Sequence, residues 1–212
     1  MSHAGEIFEN VVTGERGVIR VGTDDSTDGR LVAELFIDPG GRVAAAHTHR
    51  DIHERFTIVS GNVGLRLGRR ELSAEIGRPY DVVPGTVHDL WNAGDSTAHI
   101  VVEITPGRRF EELIRTTFGL ANDGLTDRRG MPGLLQLSLL ATEFDDVIAF
   151  TRPPRVVQRA LFGALAPVAR RRGLRGTYAR YRDQIPRRIE VEPWRSPMDS
   201  ALDGPPAALS MT

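Results

Sequence analysis

The stretch that decides the fold is HTHRDIHERFTIVSG, residues 47–61. Three of the chain's six histidines, His47, His49 and His53, stand there with Glu54, and an apolar run follows at once. In an extended strand, residues two apart project to the same face, so His47 and His49 enter one space. Glu54 comes after the polar turn RDIH, where the chain can begin the next strand and face back. Two imidazoles and a carboxylate then converge from neighbouring segments. A later stretch, VPGTVHDLWNAG at residues 83–94, offers a further ligand, His88, just after a Pro-Gly turn. Such a set of four would leave an octahedral metal two open positions.

Outward from this cluster, from Gly17 to Pro106, the chain reads as short alternating strands broken by Gly, Pro and Asp. Turn signals recur about every 8–12 residues, the spacing of a sandwich or barrel. In GNVGLRLG, Val63, Leu65 and Leu67 fall on one side. The pattern predicts an antiparallel barrel with one packed face. Strand parity places Phe56 and Ile58 with Glu54, and Leu90 and Asn92 with His88, as the lining of a substrate pocket. Trp91 then points elsewhere, His99 faces outward, and His53 is a turn residue or a substrate contact.

The spacing of these residues resembles the cupin superfamily. Gly41, His47, His49, Glu54 and Gly61 stand at the fixed positions of its first motif, and Gly77, Pro84, Gly85, His88 and Asn92 match its second. One departure is Val83, where cupins usually carry proline; it leaves the ligand position untouched. The resemblance covers about residues 17–106. It implies a mainly β fold, a double-stranded β-helix or jelly-roll barrel, with a divalent metal held by His47, His49, Glu54 and His88. Imidazoles with one carboxylate suit Fe, Mn, Ni, Zn, Co or Cu, and sequence does not choose among them. Glu54 could also leave the metal and act as a base.

Composition narrows the chemistry. The chain has no cysteine, which excludes disulfides, thiolate metal sites and cysteine nucleophiles. All 27 basic residues are arginine, which rules out a Schiff-base lysine. No run approaches a membrane span, and MSHAGEIFENVVTGER lacks the apolar core of a signal peptide. The expected location is cytoplasmic.

The net charge of −1 hides an asymmetry: residues 1–151 carry −8 and residues 152–190 carry +9. The expected organisation is a barrel over 1–110, a helical Arg-rich extension over 111–190 and a flexible tail over 191–212. One helical stripe is predicted through Leu134, Leu135, Leu137, Leu140, Phe144, Val147 and Ile148. A second helix, opening at Pro154, is predicted to bury Val157, Ala160, Leu161, Ala164 and Leu165, to kink at Pro167 and to end at Gly173. Complementary charge favours docking of this extension on the barrel or on the partner of a homodimer. Anionic membrane contact ranks second. Aromatic residues are too sparse there for a nucleic-acid stacking platform, so no nucleic acid is expected.

Two functions from different classes follow. The first is a metal-dependent enzyme, a dioxygenase or a lyase/isomerase, acting on a small oxygenated organic molecule. The second is a non-catalytic metal-binding barrel that holds a small ligand as a sensor or accessory protein.

Overall fold

The computed structural model describes residues 2–195. Two antiparallel sheets face each other across the core. The first contains β1 (Ile7–Asn10), β2 (Glu15–Val21), β3 (Leu31–Ile37), β5 (His53–Ser60), β8 (Pro79–Val82) and β10 (Ala98–Thr105), in spatial order β1-β2-β3-β10-β5-β8. The second contains β4 (Arg42–Thr48), β6 (Val63–Leu67), β7 (Arg70–Ser73), β9 (His88–Asn92) and β11 (Ala149–Phe150), in order β11-β4-β9-β6-β7. From β3 onward the chain crosses repeatedly from one sheet to the other. That winding is the double-stranded β-helix that the cupin resemblance implies, and the fold is mainly β.

Between the sheets, Ile37, Ile58, Val63, Leu65, Val82 and Ile100 are withdrawn from solvent. Each such side chain contributes about 1.5–3 kcal/mol by burial. Val63 and Leu65 are the inward residues that alternation predicted, with Leu67 packed partly behind them. On β5 the register against β10 shifts between the pairs His99–Ser60 and Ile100–Ile58, which leaves Val59 as the unpaired residue of a bulge. Below that bulge Glu54, Phe56 and Ile58 keep one parity.

The core continues into the carboxy-terminal third. α1 (Arg108–Asn122) and α2 (Leu134–Glu143) bring Leu113, Leu120 and Leu140 into the same cluster as the barrel residues. Phe144 and Val147 belong to it as well. The stripe predicted as one helix through Ile148 therefore divides. α2 stops at Glu143, and the amides of Val147 and Ile148 both donate to the Phe144 carbonyl, turning the chain into β11. Asp145 and Asp146 explain the stop, because negative charge at a helix carboxy-terminus opposes the macrodipole.

α3 (Arg155–Arg171) departs from expectation twice. It runs through Pro167 without interruption. Pro167 and Gly163 are both exposed, so water can serve the carbonyl that proline leaves without a donor. Its inward face is Gln158, Phe162, Ala166 and Ala169 rather than Val157, Ala160, Leu161, Ala164 and Leu165. Two features fix that rotation. Gln158 Nε2 donates to the carbonyls of Phe150 and Pro153 at 2.8 and 2.5 Å. The small Ala166 and Ala169 pack closely on Leu139 and Leu135 of α2.

α4 (Ala179–Arg182) sets Tyr181 over Gly119 of α1, where a β-carbon would lie 2.4 Å from the ring. The chain then returns to the first sheet: Ile7 N donates to Arg187 O, and Ile189 N to Gly5 O. Arg155 and Arg159 both reach Asp145, at 3.1 and 3.4 Å, so part of the positive charge does meet acidic partners. Of the segment predicted as a tail, residues 191–195 have no regular structure and 196–212 lie outside the described residues.

Candidate metal centre

β4 and β5 are consecutive in the chain but belong to opposite sheets. His47 and His49 therefore come from one wall and Glu54 from the wall facing it. His88 stands beside them on β9, directly paired with His47 in the ladder. The ring centroids of His47 and His88 are 4.2 Å apart, and each is 4.8–5.0 Å from that of His49. One nitrogen from each of the three rings lies within 4.8 Å of the others. All four side chains are buried.

A wide irregularity in β4 aims His47 at this point. Val43 pairs with Leu90 and His47 with His88, so residues 44–46 oppose only Asp89. Ala44 takes φ of +47° within it, a conformation that non-glycine residues seldom adopt.

Each imidazole is fixed by its other nitrogen. Nδ1 of His47 contacts Ala45 O at 2.8 Å, Nδ1 of His49 contacts Val147 O at 2.6 Å, and Nδ1 of His88 contacts Thr86 O at 3.0 Å. A carbonyl only accepts, so Nδ1 carries the proton in each ring and Nε2 presents its lone pair. Outer contacts of this type orient histidine ligands at metal sites. Inside, Glu54 Oε2 lies 2.9 Å from His88 Nε2 and 3.4 Å from His49 Nε2. None of these three atoms has a partner in hydrogen-bonding geometry. Buried acceptors that converge without a donor repel one another unless a cation or a proton lies among them. The residues present thus fit a divalent metal.

The electrostatics agree. Burial, then the neighbouring His88 and His49, lower the His47 pKa to about 3, so its lone pair is available at neutral pH. Burial alone would raise Glu54, but His49 and His88 hold it well below the usual carboxylate range. Burial pushes His49 down, and the Glu54 carboxylate more than reverses that, so without a cation the pair His49–Glu54 holds a proton in its place.

The centre opens into a cavity of about 1080 Å³. Phe56 and Leu90, two of the residues that strand parity assigns to a pocket, line it together with Val102 and Ile104. Three other expected pocket residues lie elsewhere. Ile58 pairs with Ile100 and packs in the closed core. His53 Nε2 sits 3.1 Å from Asp81 Oδ1 on the outside. Asn92 is a buried latch: its amide nitrogen donates to Ile37 O and Ser96 O, and its oxygen accepts from Gly94 N, all at 2.8 Å. Asn92→Ala is expected to lower stability by about 2 kcal/mol, since one buried and two partly buried backbone groups lose their partner, while metal content stays unchanged. Urea denaturation beside elemental analysis checks both halves.

The opposite wall was not anticipated. Phe110 and Leu113 of α1, Leu140 of α2, and Ile148 close the cavity from the helical side. Farther from the metal residues, Glu15 lines it, buried, with the Thr13 hydroxyl donating to its carboxylate. Burial raises the Glu15 pKa from 4.5 to about 7. The folded protein therefore keeps a proton that the unfolded chain has lost. The resulting stability is fully present below pH 4.5 and disappears as pH rises through 7. Glu15→Gln is expected to stabilise the protein by about 3 kcal/mol at pH 8 and by nearly nothing at pH 4. Denaturation at the two pH values tests this; an equal gain at both would contradict it.

No protein-family model and no curated protein matches the chain. Solved structures do, among them cupin-superfamily and double-stranded β-helix proteins. A sugar phosphate isomerase from a cupin superfamily of Silicibacter pomeroyi is 20% identical, with TM-score 0.41 over 49% of this chain and 69% of that one. A predicted oxalate decarboxylase from Thermotoga maritima is 18% identical, with TM-score 0.42 over 49% of this chain and 92% of that one. An uncharacterised double-stranded β-helix protein from Klebsiella pneumoniae is 21% identical, with TM-score 0.38 over 50% and 83%.

Proposed function

We propose that His47, His49, Glu54 and His88 bind one divalent metal, and that the chain is a metal-dependent enzyme acting on a small, oxygenated and otherwise apolar organic molecule. The observation that carries this reading is the set of buried acceptors, Nε2 of His49 and His88 and Oε2 of Glu54, aimed together with no donor among them. When bound, such a metal supplies Lewis acidity toward an enolate, hydroxy-ketone or carboxylate and, if it is iron, redox chemistry with dioxygen.

The protein's own share is positioning and exclusion of water. Backbone carbonyls hold the three imidazoles in one tautomer. Phe56, Leu90, Phe110 and Ile148 present an apolar wall, so polar atoms of a substrate are best satisfied at the metal end. The other acids on the wall are engaged. Glu111 accepts from Ser2, Thr23 and Arg115, Asp145 pairs with Arg155, and Glu15 accepts from Thr13.

The test is oxygen uptake and product formation by protein loaded in turn with iron, manganese, nickel and zinc, against phenolic and enolic compounds. Turnover that is lost in Glu54→Gln supports the proposal. A compound that raises the melting temperature but yields no product with any metal would favour the sensor reading instead.

A further inference from the structure

α3 turns an apolar stripe toward solvent. Val157, Leu161 and Val168 are 46%, 39% and 41% exposed, and Ala160 and Ala164 are exposed between them. These residues recur at helical spacing, on the side opposite the buried Gln158, Phe162, Ala166 and Ala169. A continuous apolar stripe left in water marks an interaction surface more often than a scattered apolar residue does.

Charge identifies the occupant. The stripe runs into Arg170, Arg171 and Arg172, with Arg175 just beyond; all four are exposed and none forms an ion pair with the described residues. They belong to the segment of net charge +9. A second copy packed symmetrically, α3 on α3, would bring two such segments together, whereas a surface rich in phosphate complements them. No helix among the described residues is long and apolar enough to cross a membrane, so a lipid-bound α3 would lie in the plane of the interface.

We propose that α3 docks the protein on membranes that carry anionic lipids. Val157, Leu161 and Val168 enter the boundary between headgroups and acyl chains, and the arginines reach lipid phosphates. Gln158 and Phe162, on the inward side of the same helix, line the metal cavity. Docking therefore holds one wall of that cavity against the bilayer.

The experiment is co-sedimentation of the full chain with phosphatidylcholine vesicles, with and without phosphatidylglycerol. Binding is expected only to the anionic vesicles, and to weaken as salt is raised. Val157→Glu/Leu161→Glu and, separately, Arg170→Gln/Arg171→Gln/Arg172→Gln are each expected to weaken it at least about tenfold. Both sets lie on exposed positions, and circular dichroism checks that folding is intact. Absence of binding to anionic vesicles overturns the proposal, as does binding that neither variant weakens. So does a dimer seen by light scattering that the glutamate variant dissociates while vesicles bind nothing, an outcome that assigns the stripe to a second copy.

Discussion

Protein purified without chelator or immobilised nickel is expected to carry close to one equivalent of a first-row divalent metal, and His47→Ala/His88→Ala is expected to carry none. The size of the effect follows from the site. His47 and His88 are paired neighbours in the ladder, and their loss leaves only His49, just past the end of β4, and Glu54 on β5. The same substitutions remove two of the three rings whose tautomer the backbone has already set, so the remaining pair has little preorganisation to offer. Stability should report the same event. A ligand that binds only the folded state at a hundred times its Kd adds about 2.7 kcal/mol. Chelator should therefore lower the melting temperature of the wild type and leave the double variant where it is. Retention of metal by the variant would defeat the ligand assignment. So would a wild type that neither carries metal nor is stabilised by any of the six ions. The identity of a copper or zinc ion would say little about the metal used in the cell, since those two head the general affinity order.

Much of this centre was legible in the sequence, because it depends on residue type and on strand parity. His47 and His49 share a face through a spacing of two, and Glu54 and Phe56 share one in the same way. Parity alone could not tell that β4 and β5 enter different sheets, so that the ligands meet across the core rather than side by side. Nor could it tell where the cavity stops along a strand. Phe56 lines it while Ile58, two residues on, fills the closed interior with Ile100. Asn92 has the parity of His88, yet its amide serves the turn that ends β9. Least legible was the Val147 carbonyl on His49, since a backbone contact leaves no mark in residue type. α3 shows a different limit: its apolar stripe was visible, but periodicity describes a face and not its neighbour. The inward side was decided by Gln158 and by the small residues that let α2 approach.

That carbonyl makes Phe144 consequential for the site from outside the ligand set. Phe144 is fully buried in the core that joins barrel and helices, with the Arg109 guanidinium 4.9 Å above its ring. Its own carbonyl accepts from the Val147 and Ile148 amides, which fixes the turn that presents Val147 O to His49. Phe144→Ala is therefore expected to destabilise the protein by about 3–5 kcal/mol through lost burial and a residual cavity. It is also expected to weaken metal binding about 10–100-fold, the usual effect of disturbing the outer partner of a histidine ligand. Phe144→Leu, which keeps most of the volume, should recover most of both, whereas Ile185→Ala, at an exposed position, should change neither. Denaturation and metal titration on the same samples separate the two consequences. A large loss of stability with unchanged metal affinity would reduce the 144–150 segment to a cover over the barrel. Loss of both, at substrate-free conditions, would mean that the carboxy-terminal third helps build the metal site that the histidine-rich strand begins.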